Sequence, residues 1–168
     1  MNSNLPYPYR YLFISFAIVF MGGMGYYLWR NKRKVLNINY RLFDSKDILG
    51  SGDCMDRRLI RMLISLEKET QLPIFKWINS GARSPAHNAR VGGVKNSSHL
   101  IPQCQAVDIH APTLEIQRKI AYTAKAIGFK RIGVGSNFIH LDIDEKKRQY
   151  ITWGYPAGNR PPFNPFAS

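Results

Sequence analysis

Apolar side chains recur with helical spacing in two stretches of the chain. Asp56 precedes the first stretch, where apolar residues return every three or four positions, as in an N-capped helix with one buried face. The residues of that face are Leu59, Ile60, Leu63, Ile64 and Leu66. Thr113 precedes the second stretch, residues 114–127, and Gly128 follows it as the residue typical of a helix C-terminus. Two amphipathic helices are therefore predicted.

Shorter apolar runs around these helices predict strands. Residues 73–78 and 106–109 are two such runs, and residues 129–134 and 137–143 flank Gly135 as an antiparallel pair. This combination predicts an α+β domain in which an antiparallel sheet carries helices on one side.

Two further segments have weaker patterns. Residues 88–91 predict one helical turn before a pair of glycines. Residues 156–168 contain four prolines among thirteen positions, which predicts an extended or disordered tail. The folded domain is therefore expected to span residues 35–155, a length that suits one domain with its own core.

Residues 11–29 stand apart because they contain nineteen consecutive residues without a charge. As a helix they would extend about 28 Å, close to the thickness of a bilayer's hydrocarbon core. Tyrosine and tryptophan residues at both ends are typical of membrane interfaces. A cleaved signal peptide would need small residues where Tyr26 to Trp29 stand, and a core helix would show a polar face. We therefore predict a transmembrane helix, with residues 1–34 as a membrane anchor.

The charge of the chain is strongly basic, with 24 Lys and Arg against 11 Asp and Glu and a net charge of +13. Five basic residues lie in the first 34 positions, which contain no acid, so residues 35–168 keep a net charge of +8. No nucleic-acid-binding motif accompanies these scattered charges, and no nucleic acid partner is expected. Anionic lipid headgroups or cell-wall polymers are the favoured partners, with ordinary solubility as the alternative.

Candidate metal ligands occur among glycines and polar turn residues. His99, Asp108 and His140 would provide three nitrogen or oxygen ligands and leave a fourth position for water, as in catalytic zinc sites. The residues alone are equally compatible with a solvated His99, a capping Asp108 and a half-buried strand histidine at position 140.

Four ordered motifs shift that balance. They are Ser80-Gly81-x-Arg83-Ser84-x-x-His87-Asn88, Gly92-Gly93-x-x-Asn96-Ser97-x-His99, Ala106-Val107-Asp108-Ile109 and Phe138-Ile139-His140-Leu141-Asp142. In order and content they resemble the zinc D-alanyl-D-alanine carboxypeptidases. Relatives of that family include phage endolysins that cut L-alanyl-D-glutamate bonds, vancomycin-resistance dipeptidases and the hedgehog signalling domain. The likeness covers roughly residues 40–155.

The resemblance implies a site and a reaction. It makes His99, Asp108 and His140 the ligands of a catalytic zinc ion, and Arg83 a catalytic cation that grips substrate. Ser98, beside the first ligand, is assigned to substrate binding. The implied fold is hedgehog/DD-peptidase-like, and the implied activity is hydrolysis of peptidoglycan peptides by a bacterial or phage protein.

This chain departs from the family at two places. The first histidine and the aspartate usually stand seven positions apart, whereas His99 and Asp108 stand nine apart. Many members place a carboxylate three residues before the last histidine as the catalytic base, where this chain has Asn137, which cannot take a proton at neutral pH. Asp142, two residues after His140, emerges on the same face of a strand and is the candidate base, or else orients a ligand.

Three functions therefore remain open from the sequence. They are a zinc peptidase, an inactive zinc-containing module that binds cell-wall peptides or a protein, and a membrane-anchored structural protein whose histidines bind nothing. Cell-wall hydrolysis requires the domain outside the cell, yet Arg30 and Lys32 to Lys34 outnumber the basic charge before the helix and favour a cytoplasmic domain. Glycines at positions 22, 23 and 25 predict a weak anchor that would permit release, as in exported phage endolysins.

The two cysteines, Cys54 and Cys104, leave another choice open. They form either a disulfide or a pair of free thiols, and neither is needed as a metal ligand.

Overall fold

A computed structural model describes residues 38–167. The five strands of its sheet are β1 Ile78–Ser80, β2 Ala106–His110, β3 Arg131–Val134, β4 Phe138–Asp142 and β5 Ile151–Gly154. The α-helices of this region are α1 Arg57–Thr70, α2 Pro85–Arg90 and α3 Leu114–Ile127. Short 3-10 helices lie at Tyr40–Phe43, Ser51–Cys54 and Ile74–Trp77.

The sheet is mixed, with the strand order β1-β2-β4-β3-β5. Its first four strands pair antiparallel, as predicted, whereas β5 runs parallel to β3. The predicted α+β class is therefore confirmed, and the prediction of a wholly antiparallel sheet is wrong at this edge. After β4 the chain turns back and enters alongside β3, where Ile151 N donates to Lys130 O at 3.0 Å.

Local signals set the start of α1 and both ends of α3 where the sequence placed them. The Asp56 carboxylate accepts from Arg58 N at 2.7 Å and caps α1. The Thr113 hydroxyl accepts from Ile116 N at 3.3 Å and caps α3, which ends at Gly128 with a left-handed φ of 113°.

Two shorter elements differ from prediction. Residues 73–78 are mostly a 3-10 helix and not a strand, because the Glu67 carboxylate takes the Phe75 N–H at 3.0 Å and Pro73 O accepts from Trp77 N at 3.2 Å. The predicted turn at residues 88–91 is part of α2, which begins earlier because Ser84 caps it and Pro85 occupies its first position.

Alternation along β2 and β4 divides the sheet into an apolar and a polar face. Val107, Ile109, Ile139 and Leu141 are fully buried in the core. The intervening positions place Asp108, His140 and Asp142 together on the opposite face, because successive side chains of a strand point to opposite sides.

A disulfide joins Cys54 to Cys104 across 50 positions, which decides between the two alternatives for these cysteines. Cys104 lies in the segment that lengthens the spacing between His99 and Asp108. The extra residues are therefore tied to the start of α1, where Asp56 N also donates to Cys104 O at 3.2 Å.

The proline-rich tail adopts neither helix nor strand between residues 156 and 167. Phe163 nevertheless packs on α3, where its ring stacks on Tyr122 with centroids 6.1 Å apart. The tail is thus part of the folded domain.

The predicted transmembrane helix, residues 11–29, lies outside the described residues. Across residues 38–167, no helix combines the length and apolar character needed to cross a membrane.

Candidate metal centre

Three side chains converge on the polar face of the sheet. Nε2 of His99 lies 3.1 Å from Nδ1 of His140, and Nδ1 of His140 lies 2.8 Å from Oδ1 of Asp108. The distance from Nε2 of His99 to Oδ1 of Asp108 is 3.3 Å, so the three atoms form a triangle. Donor atoms bound to a tetrahedral zinc ion at about 2.0 to 2.1 Å are about 3.3 Å apart. The three predicted ligands are therefore brought together at nearly the separation that one metal ion requires.

The sheet and one backbone pairing fix this triangle. Asp108 and His140 are direct partners across β2 and β4. His99 is held from the side, because Arg83 N donates to its carbonyl oxygen at 2.8 Å. Gly81 O lies 2.6 Å from Nδ1 of His99, so that nitrogen carries the proton and Nε2 keeps its lone pair towards the triangle.

Gly81 can lie against Phe43 because it has no side chain. A Cβ at this position would lie 2.6 Å from the Cβ of Phe43, which is buried beneath the loop. The lack of space for a side chain thus explains the glycine in the Ser80-Gly81-x-Arg83 motif.

The second nitrogen of His140 has its own partner. Nε2 of His140 lies 3.2 Å from Oδ2 of Asp142, and Oδ1 of Asp142 accepts from Nε of Arg131 at 2.7 Å. Asp142 is 1% exposed, and its Oδ1 also accepts from Asp144 N at 3.1 Å. A carboxylate in this position fixes the imidazole with Nδ1 as the ligand atom.

The pKa values of the three side chains reflect their mutual contacts. Burial lowers the pKa of His99, which favours its neutral form. Burial alone would also lower the pKa of His140, but hydrogen bonds to Asp108 and Asp142 outweigh it and raise that pKa. For Asp108, burial opposes ionisation, yet the two histidines hold its pKa well below the ordinary value.

Arg83 contacts the remaining oxygen of the aspartate. Its Nη2 donates to Oδ2 of Asp108, and its Nε donates to the Ser80 hydroxyl at 2.9 Å. These bonds use two of the five N–H donors of a guanidinium group. Arg83 also lines the cleft that contains the triangle, as its prediction as a substrate-binding cation requires.

The hydroxyl of Ser98, which the sequence assigned to substrate binding, has two hydrogen-bond partners within the protein. Its hydroxyl accepts from Nζ of Lys147 at 2.8 Å and donates to the Asp144 carboxylate at 3.3 Å. Ser98 lines the same cleft, so its assignment to substrate binding stays a prediction. Lys147, its hydrogen-bond partner, lines that cleft as well.

Asn137 lies apart from the site. It is an exposed residue of the turn between β3 and β4, where its carbonyl oxygen accepts from Ala111 N at 2.8 Å. Among the described residues, the carboxylates that line the cleft are Asp108 and Asp142.

His87 supports the loop that carries Arg83. Its Nδ1 accepts from Lys46 N at 3.2 Å and lies 3.2 Å from the Ser45 hydroxyl. That hydroxyl in turn accepts from Ser84 N at 3.0 Å.

Sequence reasoning missed one wall of the cleft, formed by residues between 147 and 157. The rings of Trp153 and Tyr155 lie 5.4 and 6.1 Å from the His140 ring, and burial raises the pKa of Tyr155 to about 12. Gly133 makes room for them, because a Cβ there would lie 2.6 Å from Cε2 of Tyr155. The alternation of Trp153 and Tyr155 on one face of a short strand was the available signal.

The fold and the triangle define a candidate metal centre, with two histidines and a carboxylate that can share one ion. Comparison with known families agrees, because the sequence profile described as Peptidase M15 matches residues 43–142, more than half of the chain. The chain belongs to this family, that of the zinc D-alanyl-D-alanine carboxypeptidases. A search of curated proteins found no match.

Proposed function

We propose that this protein is a zinc-dependent peptidase that cleaves the stem peptides of peptidoglycan, as a carboxypeptidase or an endopeptidase. The observation that carries the proposal is the triangle of His99 Nε2, Asp108 Oδ1 and His140 Nδ1, in which the second nitrogen of each histidine is already occupied. Such a donor set leaves one side of a tetrahedral site open to the cleft, as catalytic zinc requires.

The donor set fits zinc in its chemistry as well as its spacing. Neutral imidazole nitrogens and one carboxylate oxygen suit this metal, and the bond from Arg83 to Oδ2 leaves Oδ1 as the ligand oxygen of Asp108. Bound zinc would polarise the scissile carbonyl group and lower the pKa of a water molecule towards neutrality.

Arg83 supplies the fixed positive charge of the reaction. Its guanidinium carries a positive charge and retains N–H donors beyond those that bind Ser80 and Asp108. These donors orient a substrate carboxylate, or they stabilise the negative charge that develops on the carbonyl oxygen.

Asp142 acts by positioning His140. Of the two roles predicted from sequence, base and orienting group, its contacts favour the second. Both of its oxygens are engaged, by His140 on one side and by Arg131 and Asp144 on the other. A general base needs a lone pair directed at the attacking water, whereas a buried carboxylate bonded to a ligand's second nitrogen sets the orientation and basicity of that ligand.

A second candidate function is a zinc-containing module that binds cell-wall peptides without cleaving them. The favouring observation is that both carboxylates lining the described part of the cleft are already engaged. Asp108 belongs to the triangle, and Asp142 contacts His140. Asn137, in its exposed turn, does not supply the missing acid.

We further propose that residues 11–29 anchor the protein in a membrane, with the domain on the cell-wall side, as an exported bacterial or phage-encoded endolysin would require. The length and aromatic ends of that segment support the anchor. A reporter fused to the C-terminus that is active only in the cytoplasm would contradict the orientation.

Digestion of purified peptidoglycan tests the enzymatic proposal. The full-length protein, loaded with zinc, is incubated with soluble peptidoglycan fragments, and the products are identified by mass spectrometry. New peptide termini that are absent with the His99→Ala protein identify the cleaved bond. Retention of the fragments on the zinc-loaded protein without any cleavage would favour the binding module.

A further inference from the structure

Lys147 is a cation of the cleft wall that is held in place. Its Nζ donates to the Ser98 hydroxyl at 2.8 Å and lies 3.4 Å from Oδ2 of Asp144. Its side chain is 21% exposed, whereas the adjacent Lys146 is an exposed surface residue. Most surface lysines extend their charge into water, so the restraint on Lys147 is unusual.

The ammonium group of Lys147 retains capacity for a ligand. An ammonium has three N–H donors, and the contacts with Ser98 and Asp144 occupy two of them. Asp144 is itself fixed, because it accepts from Ser98 and from Lys146 N at 3.1 Å. Ser98 precedes His99, and Lys147 lines the same cleft as the three side chains of the metal triangle.

The other cations of the cleft differ in what they can still bind. Arg131 is buried, donates to Asp142 and to Arg148 O, and stacks over Trp153 with its guanidinium carbon 5.2 Å from the ring centroid. The guanidinium of Arg131 is therefore engaged in contacts within the protein. Among the described residues, Arg83 and Lys147 are the lining cations with spare donors and partial exposure. Arg83 is held by Asp108 of the triangle, and Lys147 is held by Ser98 and Asp144.

We propose that Lys147, held in place by Ser98, forms a second carboxylate subsite, so that the preferred substrate is an acidic peptide with two free carboxylates near the cleaved bond. Arg83 binds one carboxylate and Lys147 the other. This inference rests on the proposed function. The family match ends at Asp142, so Lys147 belongs to a part of the cleft wall that the match does not cover.

The test compares two synthetic stem peptides that both keep their C-terminal carboxylate. One contains D-glutamate with a free α-carboxyl group, and in the other that group is amidated. Binding to the zinc-loaded full-length protein is measured by calorimetry, and kcat and KM are measured where turnover occurs.

We expect the wild-type protein to prefer the free carboxylate by about tenfold or more, mainly through Kd and KM, since a charged hydrogen bond is lost on amidation. Lys147→Met should abolish the preference, and Lys147→Arg should keep most of it. Lys146→Met, a change of the same kind one position away on the exposed surface, should behave as wild type. Zinc content and thermal unfolding of each variant show whether the fold is intact.

The outcomes separate this inference from the proposed function. Equal binding of both peptides by the wild-type protein, or an undiminished preference in Lys147→Met, overturns the subsite even if cleavage is fast. Absence of cleavage with a preference in binding that depends on Lys147 supports the subsite and contradicts the peptidase.

Discussion

Asp108 and His140 face each other directly across β2 and β4, and Oδ1 of the aspartate lies 2.8 Å from Nδ1 of the histidine. This register brings two side chains that are far apart in sequence to one point on the polar face of the sheet. His99 reaches the same point from a loop, so three separate segments must fold before a metal site exists.

The first prediction is that the protein binds one zinc ion and that Ala at position 99, 108 or 140 abolishes stoichiometric binding. Each substitution removes one of three donors and leaves the other two without a complete site. Metal analysis after dialysis against trace zinc measures the loss.

His110→Ala provides the control for the first prediction. This histidine lies at the end of β2 and packs edge-on against Trp77 with ring centroids 6.5 Å apart, outside the cleft lining. The His110→Ala protein should retain one zinc ion. Retention of one zinc ion by the His140→Ala protein would contradict the proposed metal site.

The second prediction separates the two roles of Asp142. If it positions His140, Asp142→Asn should weaken zinc affinity by about 10- to 100-fold. If it is the general base, the same variant should hold zinc normally and lose about 10² to 10⁴ in kcat. Zinc affinity by chelator competition, measured beside kcat at saturating zinc, distinguishes these results.

Asn137→Asp completes that experiment. Because position 137 lies in an exposed turn, the added carboxylate should leave both zinc affinity and turnover nearly unchanged. A large gain in kcat would show that the turn moves into the site and that the natural protein lacks its base.

The third prediction concerns pH. The metal-free protein holds a proton on His140 more tightly than an ordinary histidine does, because Asp108 and Asp142 raise its pKa against the opposing effect of burial. Zinc must displace that proton, so apparent zinc affinity should fall about tenfold per pH unit below the raised pKa and level off above it. Chelator competition over a pH series measures the slope, and a flat profile through the histidine range would contradict it.

The fourth prediction is that Arg83→Lys impairs catalysis although it keeps the charge. Lysine cannot reproduce the simultaneous bonds to Ser80 and Asp108 and still offer paired donors to a substrate. We expect kcat/KM to fall by about 10²-fold, in the range reported for loss of one oxyanion donor. Zinc content should be reduced much less than in Asp108→Ala, and wild-type kinetics would exclude Arg83 from the reaction.

The fifth prediction is that the disulfide supports the fold and not the metal. Replacing Cys54 and Cys104 with Ser should lower the free energy of unfolding by about 2 to 4 kcal/mol, because a long loop is released in the unfolded chain. Zinc stoichiometry of the folded variant should stay at one. Loss of metal from a folded Cys104→Ser protein would make this cysteine part of the site.

The sequence predicted those parts of the fold that local signals determine. Helix α3 was bounded correctly because Thr113 and Gly128 adjoin its ends. Strand β5 was missed because its partner, β3, lies in another part of the chain and pairs with it in parallel. Residues 74–77 looked like a strand, but the contact of Phe75 with Glu67 depends on tertiary structure.

The same distinction applies to the site. His99, Asp108 and His140 could be proposed because ordered motifs surround them. Asp142 could be placed on their face by strand alternation, but the choice between base and orienting group required its contacts with Arg131 and His140. Lys147 carried no motif, and only the folded chain places it beside Ser98.

The boundary of the family match at Asp142 divides the cleft into a part that the match covers and a part beyond it. The metal triangle lies wholly before it, and the wall formed by Lys147, Trp153 and Tyr155 lies wholly after it. We therefore expect substitutions in that wall to change which peptides are accepted without removing the groups that hold the metal. Grafting a different segment in place of residues 147–157 offers a direct route to a hydrolase with the same metal chemistry and a new target.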